Sequence, residues 1–130
     1  MEVFIMQKKI STTKAPGAIG PYSQAVEIDN LVYTSGQLGV DPATGELVEG
    51  VEAQTKMALE NVKAVLAEAG LEMSSIIKSL VFITDMNDFG KVNGVYAQYI
   101  NGDVLPARSC VQVAALPKGG LVEIEVIAKK

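Results

Sequence analysis

The chain has 130 residues, 48% of them hydrophobic and 20% charged, with a net charge of −4, one cysteine and no histidine. That length fits one domain over residues 1–130, and the composition is that of a folded chain, not a disordered one. It argues against Ser-His and Cys-His nucleophile pairs, an imidazole base, and a zinc site, which would have to be mostly carboxylate.

The acidic balance and scattered Lys and Arg argue against a nucleic-acid partner, and the absence of Trp against a stacking platform for single strands. No apolar run approaches the ~18–20 residues of a membrane span. The opening MEVFIMQKKI has no basic segment ahead of an apolar one and no small-residue cleavage site, so it does not read as a secretory signal. Met6 is an alternative start, with Met1 to Ile5 as an extension. A lone cysteine without a signal peptide favours a reducing, cytoplasmic location.

In chain order, Lys8 to Thr12 reads as a short first strand and Ala15 to Tyr22 as a Gly/Pro loop. Gln24 to Ile28 and Leu31 to Ser35 alternate around Asp29-Asn30, a two-residue hairpin signal. Asp41 to Gly45 is a turn. Glu49 to Ala69 is the strongest helix: Val51, Thr55, Ala58, Val62, Val65, Leu66 and Ala69 recur at helical spacing, and Gly70 is a natural stop. Ile76 to Thr84 is a β-branched strand. Asp88 to Tyr99 is a second amphipathic helix, capped by Asn87 or Asp88, with Phe89, Val92, Tyr96 and Tyr99 as its core stripe. The methionines also read as core.

The last third, PARSCVQVAALPKGGLVEIEVIA, reads as two alternating strands joined by a Pro-Lys-Gly-Gly turn. Alternation puts Arg108, Cys110 and Gln112 on one face, and Glu123 and Glu125 on one face of the next strand. A cation beside a thiol, with a carboxylate on a neighbouring strand, suits a small anionic substrate. The expected order is β-β-β-α-β-α-β-β, an α+β fold with a single sheet covered by two helices on one face. Its uncovered face needs a partner, because a large apolar patch is rarely left on a monomer.

Three blocks carry a family resemblance: AIGPYSQAV with TSGQ, VFITDMNDFGKVN, and PARSCVQVAALP with VEIEVIA. The chain resembles the RidA/YjgF family of reactive-intermediate (enamine/imine) deaminases nearly end to end. The resemblance implies a chorismate-mutase-like subunit with a mixed sheet. It implies a homotrimer with a central barrel and clefts between subunits. It implies hydrolysis of 2-imino acids to 2-keto acids and ammonia, with no cofactor and no metal. Carried onto this sequence, Arg108 matches the substrate-carboxylate anchor and Glu123 the carboxylate associated with the attacking water. Cys110, Tyr22, Ser35 and Asn93 match pocket positions. The segment Ile100 to Leu105 is shorter than the family pattern and flanks the cleft, which bears on substrate preference.

The residue types suit that chemistry. Arginine grips a carboxylate through two parallel hydrogen bonds. A carboxylate can orient or deprotonate a water, and hydroxyls of Tyr22 and Ser35 can meet the nitrogen. Blander readings stand beside these. Arg108 could be a structural ion-pair partner of Glu123, and Cys110 a small buried hydrophobe. Tyr22 and Ser35 could serve turns, Asn93 could be solvated, and Glu125 salt-bridged or exposed. Two other functions fit in part: a non-catalytic 2-keto-acid-binding regulatory trimer, and an endoribonuclease or translation inhibitor.

Overall fold

The structure is a computed structural model and describes residues 6–130; Met1 to Ile5, read above as an extension, lie outside the described residues. Strands β1 (Gln7–Ile10), β2 (Ala25–Ile28) and β3 (Leu31–Thr34) form an antiparallel meander. The β2–β3 hairpin turns at Asp29-Asn30 as predicted, with Asp29 at φ 52, a left-handed geometry that Asp tolerates better than most residues. Three two-residue strands absent from the sequence reading follow: β4 (Gln37–Leu38), β5 (Val40–Asp41) and β6 (Glu46–Leu47). Between β5 and β6 the Asp41 turn closes through Gly45 N donating to Asp41 O at 2.8 Å.

Helix α1 (Val51–Glu68) buries the predicted stripe: Val51, Thr55, Ala58, Val62, Val65 and Leu66. It starts after Gly50 rather than at Glu49. Gly70, at φ 76, ends it, and Leu71 N reaches back to Leu66 O at 2.9 Å. Strand β7 (Ile76–Ile83), helix α2 (Phe89–Tyr99) and strand β8 (Ala107–Gln112) form a crossover unit, so β8 runs parallel to β7. Strand β9 (Val122–Lys129) pairs antiparallel with β7 on its other side. The main sheet has the order β1-β2-β3-β9-β7-β8, with β4 also on β9.

The last two strands are therefore not neighbours. β7 separates them, because the connecting segment wraps its end instead of folding back. Val113 N donates to Ile83 O at 2.8 Å, and Thr84 N donates to Leu121 O at 3.2 Å. Pro117–Gly119 is a single helical turn with Lys118 at φ 60.

Both helices lie on one face of the sheet. Val32, Val81 and Ile124 from the strands meet Leu59, Val62 and Leu66 of α1 and Val92 of α2. Fully burying each such side chain stabilises by about 1.5–3 kcal/mol. Three expectations need correction. Phe89 is 36% exposed and lies outside the core, as do Met6 and Met86. Asp88 does occupy the N-cap position of α2, but its side chain makes no capping hydrogen bond; the Asp85 carboxylate instead accepts from Asn87 N at 2.9 Å in the turn before the helix. Glu125 is half-buried and forms no salt bridge; the one ion pair among the described residues joins Lys130 to Glu27.

Candidate functional site

Register sorts the polar side chains of the sheet onto two faces. Arg108 lies opposite Ser79 of β7, and Ser79 lies opposite Val126 of β9. Ser79 is fully buried against α2, so Arg108 belongs to the helix-covered face, at the outer strand. Glu123 lies opposite Phe82, three residues along β7 from Ser79. An odd separation reverses the face. Glu123 therefore belongs to the open face.

Among the described residues the Arg108 guanidinium is held without an acid. Its Nη1 donates to Asn93 Oδ1 at 2.7 Å. Its carbon sits 4.8 Å from the Tyr96 ring centroid and 5.6 Å from that of Phe89. Phe89, Asn93 and Tyr96 fall at i, i+4 and i+7 of α2, one face of the helix. Cys110 is two residues along β8 on the same face, partly buried against the core. Burial pushes its thiol up, and the nearby Arg108 charge offsets this in part. Gln112, the third residue of the row, accepts from Met86 N at 2.7 Å through Oε1 and so supports the turn into α2. The structural ion pair of Arg108 with Glu123 does not form.

Glu123 lines a cavity of about 590 Å³ together with Tyr22, Ser35, Gly36 and Lys118. A bulge builds it. Tyr33 lies opposite Ile127 but Gln37 lies opposite Ile124, so β3–β4 spends one more residue than β9 between those pairs. Thr34 Oγ1 fills the gap in the ladder by accepting from Val126 N at 3.0 Å. The extra length turns Ser35-Gly36 toward the Glu123 carboxyl. A Cβ on Gly36 would lie 2.6 Å from Glu123 Cδ, so a larger residue there would displace the Glu123 carboxyl.

The Ala15 to Tyr22 loop borders the cavity and is tethered by Gln24. This buried amide accepts from Thr12 N at 2.7 Å and donates to Thr12 O and Pro16 O at 3.1 and 2.8 Å. Tyr22 is 53% exposed. The Ser35 hydroxyl donates to Ser23 O at 2.6 Å, which commits its proton. Burial pushes the Glu123 carboxyl up, and the Glu125 charge beside it pushes the same way.

The predicted residues thus form two groups, Arg108, Asn93 and Cys110 on one face and Tyr22, Ser35 and Glu123 on the other. Sequence reading missed Gly36, Lys118 and the two rings under Arg108. The spacing of Phe89, Asn93 and Tyr96 was a usable signal for the last. Among the described residues no group of three or more His, Cys, Asp or Glu could hold a metal ion, and no helix is long and apolar enough to cross a membrane.

These features define a small mixed α+β protein, one main sheet backed by two helices, whose polar groups divide between the two sheet faces. The chain belongs to the family described as Endoribonuclease L-PSP, the RidA/YjgF family, whose model matches residues 12–130. It is 54% identical over 125 residues to a mouse protein named 2-iminobutanoate/2-iminopropanoate deaminase, covering 95% of this chain and 92% of that one. It is similar to the crystal structure of YyfA, of the Rid family, from Yersinia pestis: TM-score 0.94, 50% identity, covering 96% of this chain and 100% of that one. It is also similar to the crystal structure of Escherichia coli TdcF with bound serine: TM-score 0.91, 52% identity, covering 95% and 98% of the two chains.

Proposed function

We propose that this chain is a 2-iminobutanoate/2-iminopropanoate deaminase: it hydrolyses reactive 2-imino acids, or their enamine tautomers, to 2-keto acids and ammonia. Residues 1–130 act as one domain in the cytoplasm. The working form is a homotrimer, in which Arg108 of one subunit faces Glu123 of the next across a cleft. The observation that carries the reading is the division of the site. A guanidinium with no acidic partner among the described residues lies on one sheet face, and a carboxylate in a cavity lies on the other. One chain cannot bring them together; two can.

The chemistry then needs no metal or cofactor. Arg108 grips the substrate carboxylate with N–H donors that Asn93 leaves free. Glu123 takes a proton from a water as the water oxygen bonds to the imine carbon. The C=N bond opens to the nitrogen, which takes that proton from the Glu123 carboxyl. Collapse of the resulting carbinolamine passes its hydroxyl proton through Glu123 to the nitrogen, breaks the C–N bond, releases ammonia and forms the keto C=O. A carboxylate whose affinity for protons is raised by burial is better suited to that first step than an ordinary one. Tyr22 and Cys110 line the cleft.

Assembly is supported by the open face, where Tyr33 and Val111 are each 43% exposed beside half-buried Leu80 and Phe82. The serine bound to TdcF, an amino acid with a carboxylate, supports a cleft of this kind. The endoribonuclease reading is disfavoured by a net charge of −4 and the absence of any histidine, since RNA cleavage draws on phosphate-binding cations and an acid–base pair. A coupled assay tests the proposal: a threonine dehydratase supplies 2-iminobutanoate, and 2-oxobutanoate is followed with and without the protein. Acceleration over the uncatalysed rate supports the enzyme. An unchanged rate with measurable 2-oxobutanoate binding makes the chain a non-catalytic binder.

A further inference from the structure

Arg108 is supported in a way that the reaction alone does not require. It is half-buried, yet the side chains around it are a neutral amide and two aromatic rings. Below it lies an oddity of the core. Ser79 is fully buried in the middle of β7, at a position where valine would pack. Its Oγ is 2.7 Å from Tyr96 Oη, with either hydroxyl as donor. A buried hydroxyl is tolerated when it is paired. This pair fixes the far end of the Tyr96 ring, whose face carries the guanidinium. The register that sets Ser79 beside Arg108 on the sheet makes the arrangement possible.

We infer that Phe89, Tyr96 and Ser79 are positioning residues for the Arg108 anchor: the two rings carry the cation in place of a counter-ion, and the Ser79–Tyr96 hydroxyl pair locks the deeper ring. The inference rests on the reading of Arg108 as the substrate-carboxylate anchor. An acidic partner would hold a half-buried guanidinium more firmly, but it would occupy the fork and compete with the substrate carboxylate. A ring face attracts the cation through its quadrupole and takes none of its N–H donors. Asn93 takes one of five. The cation is thus held in place with its remaining donors free for a carboxylate.

This support acts on substrate grip rather than on bond making, so its loss raises KM and leaves kcat nearly unchanged. Phe89 is the decisive site, because it is 36% exposed and dispensable to the core. Calorimetric binding of 2-oxobutanoate to the full-length protein, with steady-state kinetics in the coupled assay, gives the test. Phe89→Leu is expected to weaken binding by about 2- to 30-fold, the range of one cation–π contact, with a matching rise in KM. Phe89→Tyr, which restores a ring, is expected to recover most of it. Tyr96→Phe and Ser79→Ala are each expected to weaken binding, and the double variant to be no worse than the poorer single one.

Arg108→Ala separates the two ideas. If it binds 2-oxobutanoate like wild type, the anchor reading fails and takes this inference with it. If it loses binding while folded Phe89→Leu keeps wild-type affinity and KM, the anchor stands and the ring support is overturned. Should Tyr96 or Ser79 variants fail to fold, the Phe89 pair decides alone.

Discussion

Arg108 and Glu123 belong to one sheet and point away from each other. Their partners on β7, Ser79 and Phe82, are an odd number of residues apart. The two groups most suited to imine hydrolysis cannot meet within one chain, and the expected consequences can be measured.

Mixed assemblies give the sharpest outcome. Arg108→Ala and Glu123→Gln chains, each inactive alone, are expected to recover activity when unfolded together and reassembled. In a cyclic trimer with one cleft per subunit pair, equal mixing restores roughly a quarter of the clefts. Activity no higher than the sum of the two parents would refute a shared cleft. Light scattering of the wild type at micromolar concentration is expected to give a trimer mass, with no active monomer.

Arg108→Lys is expected to fold and assemble but to lose kcat/KM. An ammonium is a point charge and cannot reproduce a two-pronged grip. Losing one charge-assisted hydrogen bond costs about 1.5–3 kcal/mol, or roughly 10- to 150-fold. Kinetics with the coupled dehydratase read this directly, and wild-type kcat/KM would remove Arg108 from the reaction.

Cys110→Ala is expected to cost less than about tenfold. Burial holds this thiol protonated, and the chain has no histidine to activate it. Mass spectrometry during turnover is expected to find no covalent adduct on Cys110. A trapped adduct, together with complete loss in a folded Ala variant, would make it the nucleophile.

The carboxyl of Glu123, as the proposed water-activating group, is expected to set the acid side of the pH profile. Its folded pKa is raised, by burial first and by Glu125 second. Activity that needs the ionised form is lost as pH falls through that raised value. Glu125→Gln removes the repulsion and is expected to move the acid limb to lower pH. Linkage runs the other way for stability. Between the unfolded and the raised folded pKa the native state binds the extra proton, so stability falls as pH rises through that window and is lowest above it. Glu123→Gln is therefore expected to inactivate the protein while raising its melting temperature at pH 7. Thermal scans across pH check the second half.

Much of the fold was legible in the sequence because its signals are local. The α1 stripe, the Asp29-Asn30 hairpin and the β-branched β7 each declare themselves over a few residues. Strand adjacency does not. The alternation of β8 and β9 told correctly which residues share a face within each strand, but nothing in PKGG reveals that β7 lies between them. The site was legible as a set of residues and not as an arrangement, for the same reason. Arg108 and Glu123 each carry a family motif, whereas the face each occupies depends on a pairing register that only the assembled sheet fixes. Phe89, read as core, falls outside it: helical spacing identifies a stripe without saying that its first residue meets an arginine on the outer strand.

The wrapped connection after β8 also separates the two halves of the site in the time needed to build them. The Arg108 side is a β7–α2–β8 unit contained within Ile76 to Gln112, in which Ser79 meets Tyr96 over a separation of 17 residues and Asn93 meets Arg108 over 15. The Glu123 side joins distant chain: Val126 to Thr34 across 92 residues, Lys118 to Gly45 across 73, and Leu121 to Gln54 across 67. Loop closure over such spans costs entropy before any contact repays it. The Arg108 side can therefore form from a short continuous stretch of polypeptide, while the Glu123 cavity needs the last strand inserted between β3 and β7, so under the proposed roles the chain is expected to gain its hold on a carboxylate before its ability to act on one.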